Sequence, residues 1–525
     1  MKKKHIYKNI IFFIILSVFS ITINTHYGNI GVFPIDTFAF FDTGYNIILG
    51  KHPFKDFWVT TGPLVDYLQA LFFTLFGLSW SSYVIHASIF NFLITISIYL
   101  TLVKFELKPL YAFLYSLSVA ILCYPVAGTP FAYQHSFIFS VISLMIFFLA
   151  LKTNNKIFWF ILPFLMVFGF LSMHVPSTYI NLTIVIFTLI YFYLEPKILN
   201  IYSFILGSVT SCLLVFFFFI LFEIPFLKFF QQYFLFPISM GEFRLSNPDY
   251  AYSLNASLTF RGVIGHFKFI HIFLIFNIFT MILLLRTKGN FARKENIIIY
   301  SCLIISTLLF IFHQLITANQ TFIFSLIPIL GGFFHILLEK YFSKKFVFQF
   351  VSLLIILFVT FKYNNEYNLK RKFMDLQNVN LSQAIDANII NKKFNNLKWI
   401  TPFFSGKPEE EIRLIKGALN EIEKDKRKIM IITQYQFFSL ILERDLNIPN
   451  RWYGHENASH PFKGHPYFEF YREHLNSVIS KNDIKVIYTV GKIKIDDFSD
   501  YLKGSCFKKK KINDISFSNS RVPCN

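Results

Sequence analysis

A chain of 525 residues that is 54% hydrophobic and only 15% charged, with a mean hydropathy of +0.50, is too poor in charge for a soluble globular protein, where about 25% is usual. Its formal net charge of +20 lies in short loops between apolar runs and in the last third of the chain, not on a basic stripe of a recognisable nucleic-acid-binding fold. Nucleic acid is therefore excluded as a partner; anionic lipid headgroups and phosphate-bearing lipids account for the surplus.

Apolar runs of roughly 17–25 residues recur, each long enough to cross a bilayer as a helix, so the chain reads as a mostly α, polytopic transmembrane helical bundle. The opening MKKKHIYKNIIFFIILSVFSITIN has the basic start and apolar core of a secretory signal. It lacks a small-residue cleavage site after that core, which predicts an uncleaved first span. Further spans are predicted over 81–103, 110–126, 135–151, 157–174, 177–194, 199–222, 267–285, 296–316, 321–338 and 346–361, about eleven in all.

Lys and Arg fall in alternate loops: Lys2 to Lys8 before the first span, then Lys104 and Lys108, Lys152 and Lys156, Lys197, Arg286 to Lys294, and Lys340 to Lys345. The positive-inside rule makes that side cytoplasmic. The N-terminus is then cytoplasmic, while the first loop, the loop 223–266 and everything after about 362 face the periplasm of a bacterial inner membrane. The domains expected are a membrane domain over 1–361, containing a first periplasmic loop over 27–80, and a C-terminal periplasmic α/β domain over 362–525.

The first loop contains PIDTFAFFDTGYNIILGKHPFKDFWVTTGPL, and with Asp66 just after it gathers four acids, Asp36, Asp42, Asp56 and Asp66. DYLQALFFTLFG is apolar but too short to span, which predicts an amphipathic helix at the membrane surface. Carboxylates there lie at the depth of a lipid headgroup, and one held partly desolvated can serve as a general base toward a hydroxyl or amine.

In the C-terminal segment, PEEEIRLIKGALNEIEKDK carries apolar residues at helical spacing with acids in its first turn. KIMIIT and IKVIYTV read as short buried strands, and strands alternating with helices predict a small α/β domain. Cys123, Cys212 and Cys302 fall in apolar runs, as small buried hydrophobes do. Cys506 and Cys524 have no metal-ligand spacing and can pair if the tail is extracytoplasmic. The stretch RWYGHENASHPFKGHPYFEFYREH holds His455, His460, His465 and His474 at spacings that match no standard zinc site. It reads either as a sugar-stacking surface or as a loop packed on the membrane domain. Lys508 to Lys511 read as a solvated run or one resting on anionic lipid.

The series Asp36, Gly50, Pro53-Phe54, Asp56-Phe57 and Gly62-Pro63-Leu64, with FTLFG at 73–77 before a span, resembles the first periplasmic loop of GT-C glycosyltransferases. The similarity is greatest to the bacterial branch of protein O-mannosyltransferase-like and aminoarabinose-transferase-like proteins. The resemblance implies transfer of a sugar from a polyprenyl-phosphate carrier to a glycan, lipid or protein acceptor, with Asp36 in the place of the family's catalytic acid. This sequence departs from the pattern at Thr37, where the family has Glu, and at Gly62, within a turn that usually carries His. Asp42 and Asp56 are candidate substrate contacts. Phosphate-binding candidates are Arg244 and Arg261, with Lys55 and His266 behind them, because guanidinium forks suit phosphate. His135 is a further candidate at the start of a span, and His174 and His313 lie near outward helix ends. No cofactor is firmly implied beyond the lipid-linked sugar donor; nothing in the first loop requires a divalent metal, and no metal ligand is assigned. A transporter or flippase of a lipid-linked sugar, or a non-catalytic scaffold of the same fold, are the alternatives. Transporters place charge mid-membrane, and the apolar runs here carry almost none.

Overall fold

The computed structural model describes residues 2–246, 258–287, 294–317, 321–342, 346–454, 459–502, 504 and 506–523. The membrane domain begins with α1 (Lys2–Gly28). The first loop follows with α2 (Pro34–Thr37), α3 (Phe41–Ile48) and α4 (Leu64–Phe76). Then come α5 (Trp80–Lys104), α6 (Pro109–Leu122), α7 (Ala132–Thr153), α8 (Lys156–Ser172), α9 (His174–Leu194) and α10 (Ile198–Leu221). After α11 (Phe226–Phe230) and α12 (Phe236–Ser246), the bundle closes with α13 (Lys268–Thr287), α14 (Lys294–Ile316), α15 (Leu326–Tyr341) and α16 (Phe346–Tyr363).

Every expected span is a helix, and among the described residues eight helices are long and apolar enough to cross a membrane. The other three expected spans are the shorter α6, α8 and α15. Two of them are cut at prolines. Pro125 follows the end of α6, as expected where a following proline disfavours helix. Residues 321–325 stay outside α15, which starts at Leu326 with Pro328 in its first turn, where the missing N–H costs nothing. The expected amphipathic segment is α4, with Val65, Gln69, Ala70, Phe72 and Phe73 buried and Leu71 and Leu75 exposed.

The helix faces follow the solvent. Along α10 only Asn200, Gly207 and Ser211 are buried, so its large apolar side chains face lipid. The buried stripe is small because α8 comes close: a Cβ at Gly207 would fall on the Phe160 carbonyl, the close approach that small residues permit between membrane helices. By contrast α7 and α15 are buried along almost their whole length. Asn91 of α5 donates to Ser20 O and Ala120 O, both at 2.9 Å, tying α1, α5 and α6 by interhelical hydrogen bonds.

The C-terminal domain has a four-stranded sheet in the order β3 (Ile429–Thr433), β4 (Val486–Val490), β6 (Ser516–Val522), β5 (Cys506–Asn513); the short strands β1 (Ile385–Asp386) and β2 (Lys398–Trp399) form a separate pair. β3 and β4 run parallel and are buried at every residue, which is why both read as unbroken apolar runs. Ile429 and Ile431 pack with α17 (Pro408–Lys424) through Ile412, Ile415 and Ile422. Met430 and Ile432 pack with α19 (Phe468–Lys481) through Tyr471, Leu475 and Val478.

Lys508 to Lys511 lie on β5, the edge strand. They are exposed there, with Lys509, Lys510 and Lys511 paired to Asp496, Glu421 and Asp514. Lysines on an edge strand discourage pairing with another sheet. Cys506 is in a disulfide; Cys524, its expected partner, lies outside the described residues, as does His455.

The first loop and the C-terminal domain share one core. Phe38 and Phe41 pack with Trp80, Phe394, Trp399 and Phe437. The backbones also pair across the boundary, with Gly31 N donating to Lys398 O at 2.9 Å, Val32 N to Ile400 O at 3.0 Å and Trp58 N to Pro449 O at 2.7 Å.

Candidate functional site

Where the helix ends of the membrane domain meet this shared core, a cavity of about 990 Å³ opens. The first loop gives it Asp36, Thr60 and Thr61. The helix ends give Tyr133, His174, Tyr179 and Gln314. The C-terminal domain gives Arg451, Trp452 and Ser459. Phe322, Ile323 and Phe324, which precede α15, and Lys372 and Asp375, which follow α16, complete the wall. Charged groups come from the loop and the C-terminal domain, while the membrane helices and the segments next to them add both polar groups, such as Gln314 and Thr317, and apolar surface such as Phe236 and Phe267.

Asp36 reaches the wall because Pro34 opens the one-turn helix α2. Trp452 Nε1 donates to Asp36 Oδ1 at 3.3 Å. Burial pushes the Asp36 carboxyl up to about 6; the Trp452 N–H pulls the other way, and the charge of Asp375 adds to the rise. At neutral pH the group is mostly ionised and still basic enough to take a proton. Thr37, where the family has Glu, turns away from the cavity. Its Oγ1 accepts from Phe33 N at 3.0 Å and its carbonyl from the Tyr83 hydroxyl at 2.7 Å. The second carboxylate on the wall is Asp375, whose carboxyl burial also raises.

Arg451 is buried. Nη1 donates to Asp66 Oδ2 at 2.6 Å and to Gly62 O at 3.1 Å, Nη2 donates to Thr61 Oγ1, and the guanidinium carbon lies 5.0 Å from the Phe40 ring centre. Asp66 also accepts from Thr43 Oγ1 at 2.6 Å. Lys372 is exposed, its Nζ 5.8 Å from the Tyr367 ring centre. His266 lines the cavity; burial lowers its basicity, so it stands there as a neutral hydrogen-bonding group at pH 7. Among the described residues no three His, Cys, Asp or Glu side chains gather as a metal site would require.

Of the site residues expected from sequence, Asp36, His266 and His174 line this cavity. Asp42 is fully buried elsewhere, its oxygens accepting from Leu440 N at 2.9 Å and Ser439 N at 3.1 Å at the start of α18 (Phe438–Ile441). Burial pushes its carboxyl up to about 7. Lys55 pairs with Glu223 at 3.0 Å, and Asp56 accepts from His52 N at 2.9 Å and lies 3.4 Å from Lys481 Nζ.

His135 is enclosed among helices, 2.7 Å from the Tyr124 hydroxyl and 3.0 Å from His86 Nε2. Its helix begins at Ala132, so position 135 falls a turn inside and turns from the cavity. Arg261 is exposed and off the wall. The first turn of α12 lines the cavity, but the side chain of Arg244 lies outside the described residues. Sequence reasoning missed Arg451, Trp452, Lys372 and Asp375. The signal for the first two was the RWYG run, read there only as part of a loop packed on the membrane domain or a sugar platform.

No family model and no curated protein matches the chain. Among solved structures it is similar to the archaeal oligosaccharyltransferase of Archaeoglobus fulgidus. In the apo form that enzyme is 12% identical over 98% of this chain and 75% of its own, with a TM-score of 0.46. In complex with an inhibitory peptide and a dolichol-phosphate the identity is 12% over 92% of this chain and 69% of its own, with a TM-score of 0.44. Tethered to an acceptor peptide containing the NVT sequon, it is 11% identical over 92% and 69%, with a TM-score of 0.42.

Proposed function

We propose that the protein is a membrane glycosyltransferase that moves a sugar from a polyprenyl-phosphate carrier to an acceptor hydroxyl at the periplasmic face of a bacterial inner membrane. The observation that carries this reading is Asp36, a carboxylate held near pKa 6 on the wall of a cavity large enough for a sugar phosphate and an acceptor. The acceptor oxygen bonds to the anomeric carbon as the bond from that carbon to the phosphate oxygen breaks. The acceptor proton passes to Asp36, and the electron pair leaves on the polyprenyl phosphate. Lys372, exposed on the cavity wall, is the cation that meets the phosphate charge. Apolar wall residues such as Phe322, Ile323 and Phe324 take the first isoprene units, and the acceptor sits against Asp36.

Two observations support the outward orientation. Lys and Arg concentrate in the opposite loops, and the Cys506 disulfide belongs to an oxidising compartment.

The test is Asp36→Asn, assayed in membrane vesicles supplied with a total lipid extract of the producing cells as the source of lipid-linked sugar. Transfer falls at least a thousandfold while the protein still accumulates in the membrane. Wild-type transfer by that variant would remove the assignment.

A further inference from the structure

The hydrogen-bond donor to the Asp36 carboxylate among the described residues comes from the far end of the chain. Trp452 Nε1 donates to Oδ1 at 3.3 Å, whereas Oδ2 accepts nothing from the described residues and is not a sealed-off atom. One oxygen is therefore held and the other left for chemistry.

The held position is itself fixed. The residue before Trp452 is Arg451, whose side chain is 4% exposed and paired with Asp66, 0% exposed, at 2.6 Å. Its backbone N donates to Trp58 O at 3.0 Å. With further bonds to Gly62 O and Thr61 Oγ1, residue 451 is pinned to the first loop on both sides of its Cα. An indole so anchored has little freedom to leave the carboxylate, and a planar guanidinium fork gives that anchorage a direction as well as strength.

We propose that Trp452 is a positioning residue for Asp36: its indole N–H, delivered by the C-terminal domain and locked by the buried Arg451–Asp66 pair, orients the carboxylate and favours its ionised form. The inference rests on Asp36 being the base. It assigns the C-terminal domain a part in setting the strength of that base, beyond covering the cavity. A carboxylate in a largely apolar wall is otherwise driven toward its neutral form. An N–H aimed at one oxygen opposes this, and leaves the second oxygen directed at the acceptor.

The experiment is the pH profile of kcat for Trp452→Phe, which keeps the aromatic body and removes the N–H, using the same vesicles and lipid extract. The acid limb is expected to move upward by about one pH unit, the worth of a hydrogen bond to a charged group, with KM for the lipid donor unchanged. A merely structural role lowers kcat equally at every pH and leaves the limb where it was; that result overturns the proposal. Should Trp452→Phe fail to accumulate, Arg451→Lys is read instead. It keeps a cation for Asp66 but loses the fork to Thr61 and Gly62, and the limb is expected to move the same way; an unmoved limb overturns the proposal there too. Failure of the underlying reading looks different: Asp36→Asn remains active, whatever Trp452 does. Asp36→Asn inactive with the limb of both position-452 and position-451 variants unmoved removes Trp452 from its role and leaves Asp36 as the base.

Discussion

At the scale of single residues, the two carboxyls that burial shifts furthest upward make activity and stability respond to pH in opposite senses. Asp36, pushed up to about 6, has to be ionised to accept a proton. Transfer therefore rises with pH through about 6 and levels off above it, and a pH–rate profile flat down to pH 4 would remove it as the base. Stability runs the other way. The folded chain keeps the Asp36 and Asp42 protons up to about 6 and about 7, whereas the unfolded chain releases them near the ordinary carboxylate value. Stabilisation from these two groups is thus complete below about pH 4 and is lost as pH rises to about 6 and about 7. From these two groups, melting in detergent is expected to fall from about pH 4 to about pH 7, and the slope should shrink in Asp42→Asn. A melting temperature that climbs across that range would contradict the assignment of both groups.

At the scale of elements, Gly62 shows how the first loop is seated. Gly62 N donates to Ser172 O at 3.1 Å, and a Cβ at this position would fall on the Leu171 carbonyl. The loop thus lies directly on the backbone at the end of α8. The position where the family turn carries other residues requires glycine here because of that contact. Gly62→Ala is expected to cost about 1–3 kcal/mol, the range for overpacking, measured as a loss of melting temperature, and to weaken transfer because Thr61 beside it forms part of the cavity wall.

Much of this layer was legible from sequence. The apolar runs, the surface helix α4, the acids in the first turn of α17 and the paired strands β3 and β4 all follow from local periodicity and composition. Two of the three short helices, α6 and α15, were less legible, since Pro125 and Pro328 punctuate runs that hydropathy alone reads as continuous. The site was legible only in part. Asp36 is placed by local spacing, but Trp452, Arg451, Lys372 and Asp375 reach the same cavity through tertiary packing; the RWYG run hints at the first two, and nothing local marks Lys372 or Asp375. The same cause explains why Asp42, Lys55 and Asp56 looked like site residues. They are polar groups in the right loop whose bonds are taken by Leu440, Glu223 and His52.

At the scale of the whole molecule, the boundary between membrane domain and C-terminal domain cuts through a shared core. Phe38 and Phe41 are fully buried against Trp399, Phe437 and Phe394 of the other part, and removing that part would bare these rings and the backbone groups paired with it. A chain stopped after Thr433 keeps its membrane helices but lacks Ser439, Leu440, Arg451, Trp452 and Lys481. It is expected to insert, to show no transfer, and to lose hydrogen-exchange protection at Asp42 and Trp58, whose N–H groups bond Gln436 O and Pro449 O. Wild-type protection there would show that the first loop folds without its partner.

Each of the four acids of the first loop meets a group from the C-terminal domain: Asp36 with Trp452, Asp42 with Ser439 and Leu440, Asp56 with Lys481, Asp66 with Arg451. The partners stand 385 to 425 residues apart in sequence. At ribosomal speeds of about 5–20 residues per second, that separation is on the order of half a minute of translation. For that interval Asp36 and Asp42 lack these partners, while Asp66 keeps Thr43 and Asp56 keeps the His52 N–H. The cavity thus lacks Arg451 and Trp452 until late in translation, and on the proposed function a nascent chain cannot transfer a sugar before then.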